Sequence, residues 1–209
     1  MFFLEGNVGT GKSTFLKELE NEGLGVIYEP VKQWENMKNS SGKNLIEEFY
    51  GNQSRYAYTF QSIAFRTRVK NIENCSPDTI IERSIFTDKN VFAKTCYENG
   101  MMNDIEWNDY SEWFSWLSDR FNVKPNGFIY LQASPEVSYD RIKKRSRSGE
   151  ETIPFDYLER LHNKHEKWLM DEPNVLILNV DEDFENNKLK TNEMINRVKM
   201  FINNKHNGG

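Results

Sequence analysis

The chain has 209 residues and a net charge of −5, and 37% of its residues are hydrophobic and 28% charged. This length and composition favour one globular domain with a buried core and exclude a wholly disordered chain, while the acidic balance argues against binding to a nucleic-acid backbone. No run reaches the roughly 18 apolar residues of a membrane helix, and the first residues lack a signal-peptide pattern, so we expect a protein that does not enter a membrane. Two cysteines cannot form a disulfide framework, which favours the cytoplasm.

Apolar runs alternate between strand-like and helix-like spacing along the whole chain. Short strands are predicted at 1–4, 26–28, 79–81, 128–131 and 175–178. Helices are predicted at 12–21, within 44–74, at about 88–98 and 105–121, from 135, at about 154–170, and after a loop at 181–192. Strands that alternate with helices are typical of a largely parallel sheet with helices on both faces. We therefore expect a single α/β domain over residues 1–209 with a five-stranded parallel sheet.

A phosphate-binding loop follows the first predicted strand. Residues 6–13 read GNVGTGKS, which matches the pattern G-x-x-x-x-G-K-[ST], and a predicted helix begins directly after the glycines. Backbone N–H groups of such a loop surround phosphates, Lys12 is expected to reach the terminal phosphates, and the Ser13 hydroxyl can bind Mg²⁺. The alternative is a glycine-rich turn without a ligand. The residues predicted to bind the nucleotide donor here are Gly6, Asn7, Val8, Gly9, Thr10, Gly11, Lys12, Ser13 and Thr14.

Two carboxylates follow predicted strands at the same edge of the sheet. Glu29 ends the second strand and Glu82 the third, and ligands of open parallel sheets gather at the carboxyl ends of the strands. One carboxylate can accept a proton from an attacking hydroxyl while the other helps to hold a metal ion. For each residue taken alone, an ordinary surface acid remains the alternative.

Further motifs occur in order along the chain. They are Glu29-Pro30-Val31-x-x-Trp34, Tyr50, Arg55, Phe60-Gln61, Glu82-Arg83-Ser84, Arg145-x-Arg147 followed by Glu150-Glu151, and Leu161-His162-x-x-His165-Glu166-x-Trp168-Leu169. Together with the phosphate loop, they resemble the deoxyribonucleoside kinases, and the similarity extends from Phe3 to about Leu178. The resemblance implies a P-loop kinase fold, a homodimer, and Mg²⁺-dependent transfer of the γ-phosphate of ATP to the 5′-hydroxyl of a deoxynucleoside.

The resemblance also implies roles for individual residues around the transferred phosphate. Glu29 would accept the proton of the 5′-hydroxyl, Arg83 would lie beside that hydroxyl and the phosphate, and Glu82 would assist Mg²⁺ binding. With Lys12, Glu29 and Arg83 form the predicted catalytic group.

The nucleoside itself would be held by a second group of residues. The resemblance assigns the base edge to Gln61, the faces of the base to Trp34 and Phe92, and the 3′-hydroxyl to Tyr50 with Glu151, or with Glu150 because Gly149 looks like an insertion. An amide side chain can pair with the edge of adenine or cytosine, and aromatic rings stack on bases. Without the resemblance, Gln61 would be a solvent-facing helix residue, and plain core packing would explain the two aromatic side chains.

Base selectivity is predicted from three residues beyond Gln61. Ala64 and Arg68 lie one and two turns further along the same predicted helix, and Asp88 could pair with Arg68 across the base. Within the family this combination resembles the deoxycytidine and deoxyguanosine kinase branch, so we expect deoxycytidine and purine deoxynucleosides to be preferred over thymidine. The alternative is a surface salt bridge without a selective role.

The helix predicted from Pro135 ends in a basic cluster. Its members are Arg141, Lys143, Lys144, Arg145 and Arg147. A solvated helix face and a nucleic-acid patch are the alternatives to a basic lid, over about 141–152, that closes on phosphates. The resemblance makes Arg145 and Arg147 the arginines of this lid.

Two other clusters favour structural roles. His162 and His165 lack a third metal ligand, so we expect them to be structural. The aromatic residues Trp107, Trp113, Phe114 and Trp116 indicate a buried helix pair or a dimer seam more than a ligand cage.

Two other functions compete with a nucleoside kinase. A deoxynucleoside monophosphate kinase would need extra basic groups for the acceptor phosphate, which Glu29 would repel. A nucleotide-dependent switch would carry an N-K-x-D loop after a late strand, whereas the similar residues 163–166 lie within a predicted helix.

Overall fold

A five-stranded parallel sheet organises the chain, of which the computed structural model describes residues 1–73, 75–145, 150 and 153–206. The strands are β1 (Phe2–Glu5), β2 (Val26–Ile27), β3 (Ile80–Glu82), β4 (Gly127–Gln132) and β5 (Val175–Asn179). Their order across the sheet is β2-β3-β1-β4-β5, and each neighbouring pair is parallel. The predicted α/β class and the five-stranded parallel sheet are therefore confirmed.

Helices cover both faces of this sheet. They are α1 (Lys12–Asn21), α2 (Val31–Asn36), α3 (Leu45–Gly51), α4 (Gln53–Ile72), α5 (Ile85–Thr87), α6 (Lys94–Glu98), α7 (Asp104–Arg120), α8 (Pro135–Arg145), α9 (Phe155–Leu169) and α10 (Lys188–His206). A π-helical segment, Asp88–Ala93, joins α5 to α6. Within the described ranges, every helix is too short or too polar to cross a membrane.

Alternation along β1 divides the core into two layers. Phe2 and Leu4 pack in the layer that contains α1 and α10, whereas Phe3 packs in the layer that contains α4 and α7. Successive side chains of a strand point to opposite faces, so a strand buried on both sides is apolar throughout. Burial on both faces holds β1 in place, and the phosphate loop follows its carboxyl end.

One helix and two helix boundaries differ from the predictions. The helix α2 was not predicted, and the helical segment expected at about 88–98 already starts at Ile85, because the Ser84 side chain accepts a hydrogen bond from Thr87 N. The predicted loop 181–192 was too long, since α10 begins at Lys188. Asn187 precedes α10, and its side chain accepts a hydrogen bond from Lys190 N. The asparagines that suggested a loop thus include one that caps a helix.

The aromatic cluster of α7 is divided between core and surface. Trp107 stacks on Tyr97 with ring centroids 4.9 Å apart, and Phe114 packs against Phe65. Trp113 and Trp116 are 49% and 55% exposed, so a wholly buried helix pair is wrong for these two residues. They lie on the outer face of α7 because the 3.6-residue period turns that side away from α4.

Candidate active site

The phosphate loop connects the end of β1 to the start of α1. Gly6 has φ +147°, and a side chain there would collide with the carbonyl oxygen of Leu131, whereas a side chain at Gly9 would collide with that of Ser138. Lys12 is buried, and its Nζ donates to Gly6 O at 3.0 Å and to Asn7 O at 2.7 Å. The loop therefore keeps the compact form that lets backbone N–H groups face an anion.

Burial lowers the pKa of Lys12 to about 7, and the positive charge of Arg83 adds to this shift. A phosphate group near Lys12 would favour the charged ammonium and reverse the effect of burial. The lysine is thus arranged for an anion that approaches from the cavity.

Ser13 and Glu82 meet where β3 ends beside the phosphate loop. Ser13 Oγ donates to Glu82 Oε1 at 2.7 Å, and Glu82 Oε2 accepts from the backbone N of Glu29 at 3.3 Å. Both side chains present oxygen atoms, which are the ligands that Mg²⁺ prefers. The pair fits the predicted Mg²⁺ site on donor chemistry and proximity.

Glu29 lies between two guanidinium groups at the end of β2. Its Oε1 forms ion pairs with Arg68 Nη2 and, at 3.3 Å, with Arg83 Nε. Although burial alone would raise the pKa of Glu29, Arg68 and Arg83 lower it to about 2. The carboxylate is ionised at neutral pH.

Arg83 holds an unusual backbone conformation in this site. Its φ of +66° lies in the left-handed region, which costs about 1–2 kcal/mol for a residue with a side chain. Its Nη1 donates to Gly6 O at 3.2 Å, and its guanidinium lies 4.6 Å from the ring centroid of Phe92. Arg83 consequently bridges the phosphate loop, the Glu29 carboxylate and the aromatic wall of the cavity.

The salt bridge predicted between Arg68 and Asp88 is present and buried. Arg68 Nε donates to both carboxylate oxygens of Asp88, at 3.0 and 2.8 Å, and the two side chains are only 4% and 2% exposed. Arg68 also lies over the ring of Trp34 at 5.3 Å. The alternative of a solvated surface pair is therefore wrong.

A single cavity collects most of the predicted site residues. The predicted residues that line it are Val8, Gly9, Gly11, Lys12, Ser13, Thr14, Glu29, Trp34, Tyr50, Gln61, Ala64, Arg68, Glu82, Arg83, Asp88, Phe92 and Arg145. Gly6, Asn7 and Thr10 do not line it and shape the loop from behind, where Thr10 Oγ1 donates to Asn7 O. Gln61 is buried, with Nε2 3.8 Å from Cys96 Sγ, so a solvent-facing role is wrong for it.

The predicted lid is described only in part. Arg145 forms an ion pair with Glu150, which also lines the cavity, whereas Arg147 and Glu151 lie outside the described residues. Tyr50 faces the same region, and burial together with the charge of Glu150 raises its pKa. Its hydroxyl is therefore neutral and able to donate a hydrogen bond.

Sequence reasoning missed two parts of the site. Ile46 and Phe49 add to the apolar wall of the cavity, and their helical spacing indicated only a core. A second cavity lies on the other side of Gly11, where Arg141 and Phe184 contribute to its lining. The acidic and asparagine-rich sequence around Phe184 gave no signal of a ligand.

The two histidines lie away from the cavity lining. His165 is buried, its Nδ1 lies 2.7 Å from Leu161 O, and its ring stacks on Tyr130. Burial lowers the pKa of His165 well below 6.5. Its packing agrees with the predicted structural role.

The phosphate loop after β1 and the Glu29 carboxylate after β2 line one cavity at the same edge of the sheet, which places the protein among the P-loop kinases. The sequence profile of the deoxynucleoside kinase family matches residues 2–203. The chain belongs to this family and is an ATP-dependent deoxynucleoside kinase, as the resemblance implied.

Individual relatives are similar over most of their length. A fowlpox virus protein named as a probable deoxycytidine kinase is 38% identical, with 95% of this chain and 86% of the relative covered. The mitochondrial deoxyguanosine kinase of Xenopus laevis is 38% identical, with 95% and 88% covered. The deoxycytidine kinase 2 of Gallus gallus is 37% identical, with 95% and 89% covered.

Proposed function

We propose that this kinase phosphorylates deoxycytidine and purine deoxynucleosides in preference to thymidine. The observation that carries this proposal is the buried Arg68–Asp88 pair, which lines the same cavity as Gln61. A fixed charged pair leaves little room for the 5-methyl group of thymine and suits an exocyclic amine or a purine edge. The names of the relatives, deoxycytidine and deoxyguanosine kinases, support the same preference.

The base is held by its edge and its two faces in this proposal. The Gln61 amide pairs with the edge, since it offers one donor and one acceptor, while Trp34 and Phe92 contact the faces. The small side chain of Ala64 leaves space for the base beside Gln61. The Tyr50 hydroxyl binds the 3′-hydroxyl, together with Glu150 or with Glu151.

Glu29 is the proposed general base. Its ionised carboxylate accepts the proton of the 5′-hydroxyl as that oxygen forms a bond to the γ-phosphorus and the bond from this phosphorus to the β,γ-bridging oxygen breaks. ADP leaves with that bridging oxygen. Arg83 stabilises the charge of the transferred group, because its guanidinium already lies between Glu29 and the phosphate loop.

The donor binds at the phosphate loop and extends into the second cavity. Lys12 binds the terminal phosphates of ATP, and Arg145 and Arg147 close over them as part of a lid at about 141–152. Ser13 and Glu82 hold Mg²⁺, which would neutralise phosphate charge when bound. The second cavity, beside Phe184, takes the base of the donor.

Three broader features complete the proposal. The chain is a single domain over residues 1–209, it acts in the cytoplasm, and it forms a homodimer. The exposed pair Trp113 and Trp116 supports a protein interface on α7, since aromatic residues are enriched in such interfaces. A nucleic acid is not a proposed partner.

A substrate panel tests the proposal. Radiolabelled deoxynucleosides and deoxynucleoside monophosphates are incubated with ATP and Mg²⁺, and the products are separated by charge. We expect deoxycytidine or a purine deoxynucleoside to give the highest kcat/KM, and monophosphates to remain unchanged. Thymidine as the best substrate would contradict the proposed preference, and phosphorylation of monophosphates alone would support the monophosphate kinase instead.

A further inference from the structure

Glu5 is a buried carboxylate to which the mechanism above gives no role. It is the last residue of β1, directly before the phosphate loop, and it is fully buried. Among the described residues it has no ion-pair partner within 4 Å. The oxygen atoms of a buried carboxylate need hydrogen-bond donors, so the partners of Glu5 indicate what it does.

The hydrogen bonds of Glu5 both lead to the segment that follows Arg83. Oε1 accepts from the backbone N of Ser84 at 2.9 Å, and Oε2 accepts from Thr87 Oγ1 at 2.5 Å. The preceding residue of β1 acts in parallel, because Leu4 O accepts from the backbone N of Arg83 at 2.9 Å. Two consecutive residues of β1 therefore hold the two amides on either side of the Arg83 Cα.

This restraint acts on Arg83, whose backbone conformation has to be held by its surroundings. Arg83 has φ +66°, a conformation that persists only where surrounding contacts enforce it. The same conformation directs its guanidinium to Gly6 O and to the Glu29 carboxylate. A small rotation of this backbone would move the guanidinium away from both groups.

We propose that Glu5 is a positioning residue that holds Arg83 in its active conformation through Ser84 and Thr87. The inference rests on the proposed role of Arg83 in phosphoryl transfer. Glu5 is not among the described residues that line the cavity, and its effect on the reaction passes through the backbone of Arg83. Loss of its hydrogen bonds lowers turnover and leaves the binding of the donor largely unchanged.

Two nearly isosteric variants perturb this restraint. Thr87→Val removes the hydroxyl donor, whereas Glu5→Gln keeps the shape and replaces one of the two acceptor oxygens by an NH2 group. Thr95→Val is the matched control, because it also removes a buried hydroxyl further along the same helical run, and within the described part of the chain that hydroxyl donates only to the carbonyl oxygen of Val91. Thermal unfolding of each variant reports any general loss of stability.

The experiment measures kcat and the KM for ATP and for the best deoxynucleoside. We expect Thr87→Val and Glu5→Gln to lower kcat by about 10-fold or more with the KM for ATP changed by less than about threefold, while Thr95→Val keeps the wild-type kcat. Each change is also made in an Arg83→Met background. There, Thr87→Val and Glu5→Gln should add less than about a twofold further loss, because they act through Arg83.

Each other outcome has a definite meaning. Wild-type kcat in both Thr87→Val and Glu5→Gln would overturn the inference, and so would losses that multiply fully with that of Arg83→Met. An equal loss in Thr95→Val would also overturn it, since general destabilisation would then explain the effect. Wild-type turnover in Arg83→Met would instead refute the proposed role of Arg83, and with it the route by which Glu5 acts.

Discussion

Replacement of Glu29 by Gln tests the proposed general base most directly. The amide has nearly the same size as the carboxylate, but it cannot accept the proton of the 5′-hydroxyl. Glu29→Gln also leaves Arg83 without its carboxylate partner, whereas Arg68 keeps the two hydrogen bonds to Asp88. The cavity walls are unchanged, so both substrates should still bind.

We expect Glu29→Gln to lower kcat by at least about 100-fold, which corresponds to about 2.7 kcal/mol of transition-state free energy. The KM for ATP should change by less than about threefold, because Glu29 lies on the acceptor side of the phosphate loop. Steady-state kinetics with deoxycytidine measures both quantities. Glu35→Gln, in the helix α2 that follows Glu29 and outside the cavity lining, is the matched control.

Two results would refute the reasoning. Wild-type turnover in Glu29→Gln would show that another group accepts the proton. A loss confined to KM would show that Glu29 contributes to binding and not to the chemical step. Thermal unfolding of the variant, with and without ATP, separates either result from a loss of the folded state.

Three further predictions concern the donor, the base and the fold. Lys12→Ala should lower kcat by at least about 100-fold and leave calorimetric affinity for the deoxynucleoside near that of the wild type; loss of nucleoside binding would contradict separate sites. Arg68→Met combined with Asp88→Ala should raise the kcat/KM ratio of thymidine to deoxycytidine by at least about 10-fold, and an unchanged ratio would remove the proposed basis of selectivity. The third prediction follows from the lowered pKa of His165. Below pH 6.5 the unfolded chain binds a proton at this histidine that the folded chain does not bind. The free energy of unfolding therefore falls as the pH decreases below 6.5, by up to about 1.4 kcal/mol per pH unit. Urea unfolding between pH 7 and 5 should show a shallower dependence for His165→Asn than for His162→Asn, and equal slopes would contradict this account.

The phosphate loop could be predicted from the sequence because its requirements are local. A buried strand, glycines that permit close backbone approach, a lysine and a helix start follow within about a dozen residues, and no distant contact is needed to recognise them. The strand-end positions of Glu29 and Glu82 were also predictable, since short apolar runs end just before each carboxylate. The alternation of strands and helices fixed the α/β class for the same reason.

Sequence patterns predicted the ends of helices and their buried faces less well. Asn187 reads as part of a loop, yet its side chain caps α10, which starts inside the predicted loop. Trp113 and Trp116 belong to a cluster that predicted a buried helix pair or a dimer seam, and both lie exposed on the outer face of α7. Composition alone does not reveal which side of a helix faces the sheet, because that depends on the partner against which it packs.

The convergence of charged groups on Glu29 was decided only by the tertiary structure. Arg68 lies on α4 and is 39 residues away from Glu29 along the chain, and Arg83 follows β3. The register that pairs Leu4 with Glu82 brings the end of β1 beside the segment of Arg83, and only then can Glu5 hold that segment. The sequence by itself determined the chemical groups and the strand ends that carry them, whereas strand order and helix packing determined which groups touch, because those contacts follow from burial of the whole core and not from local spacing.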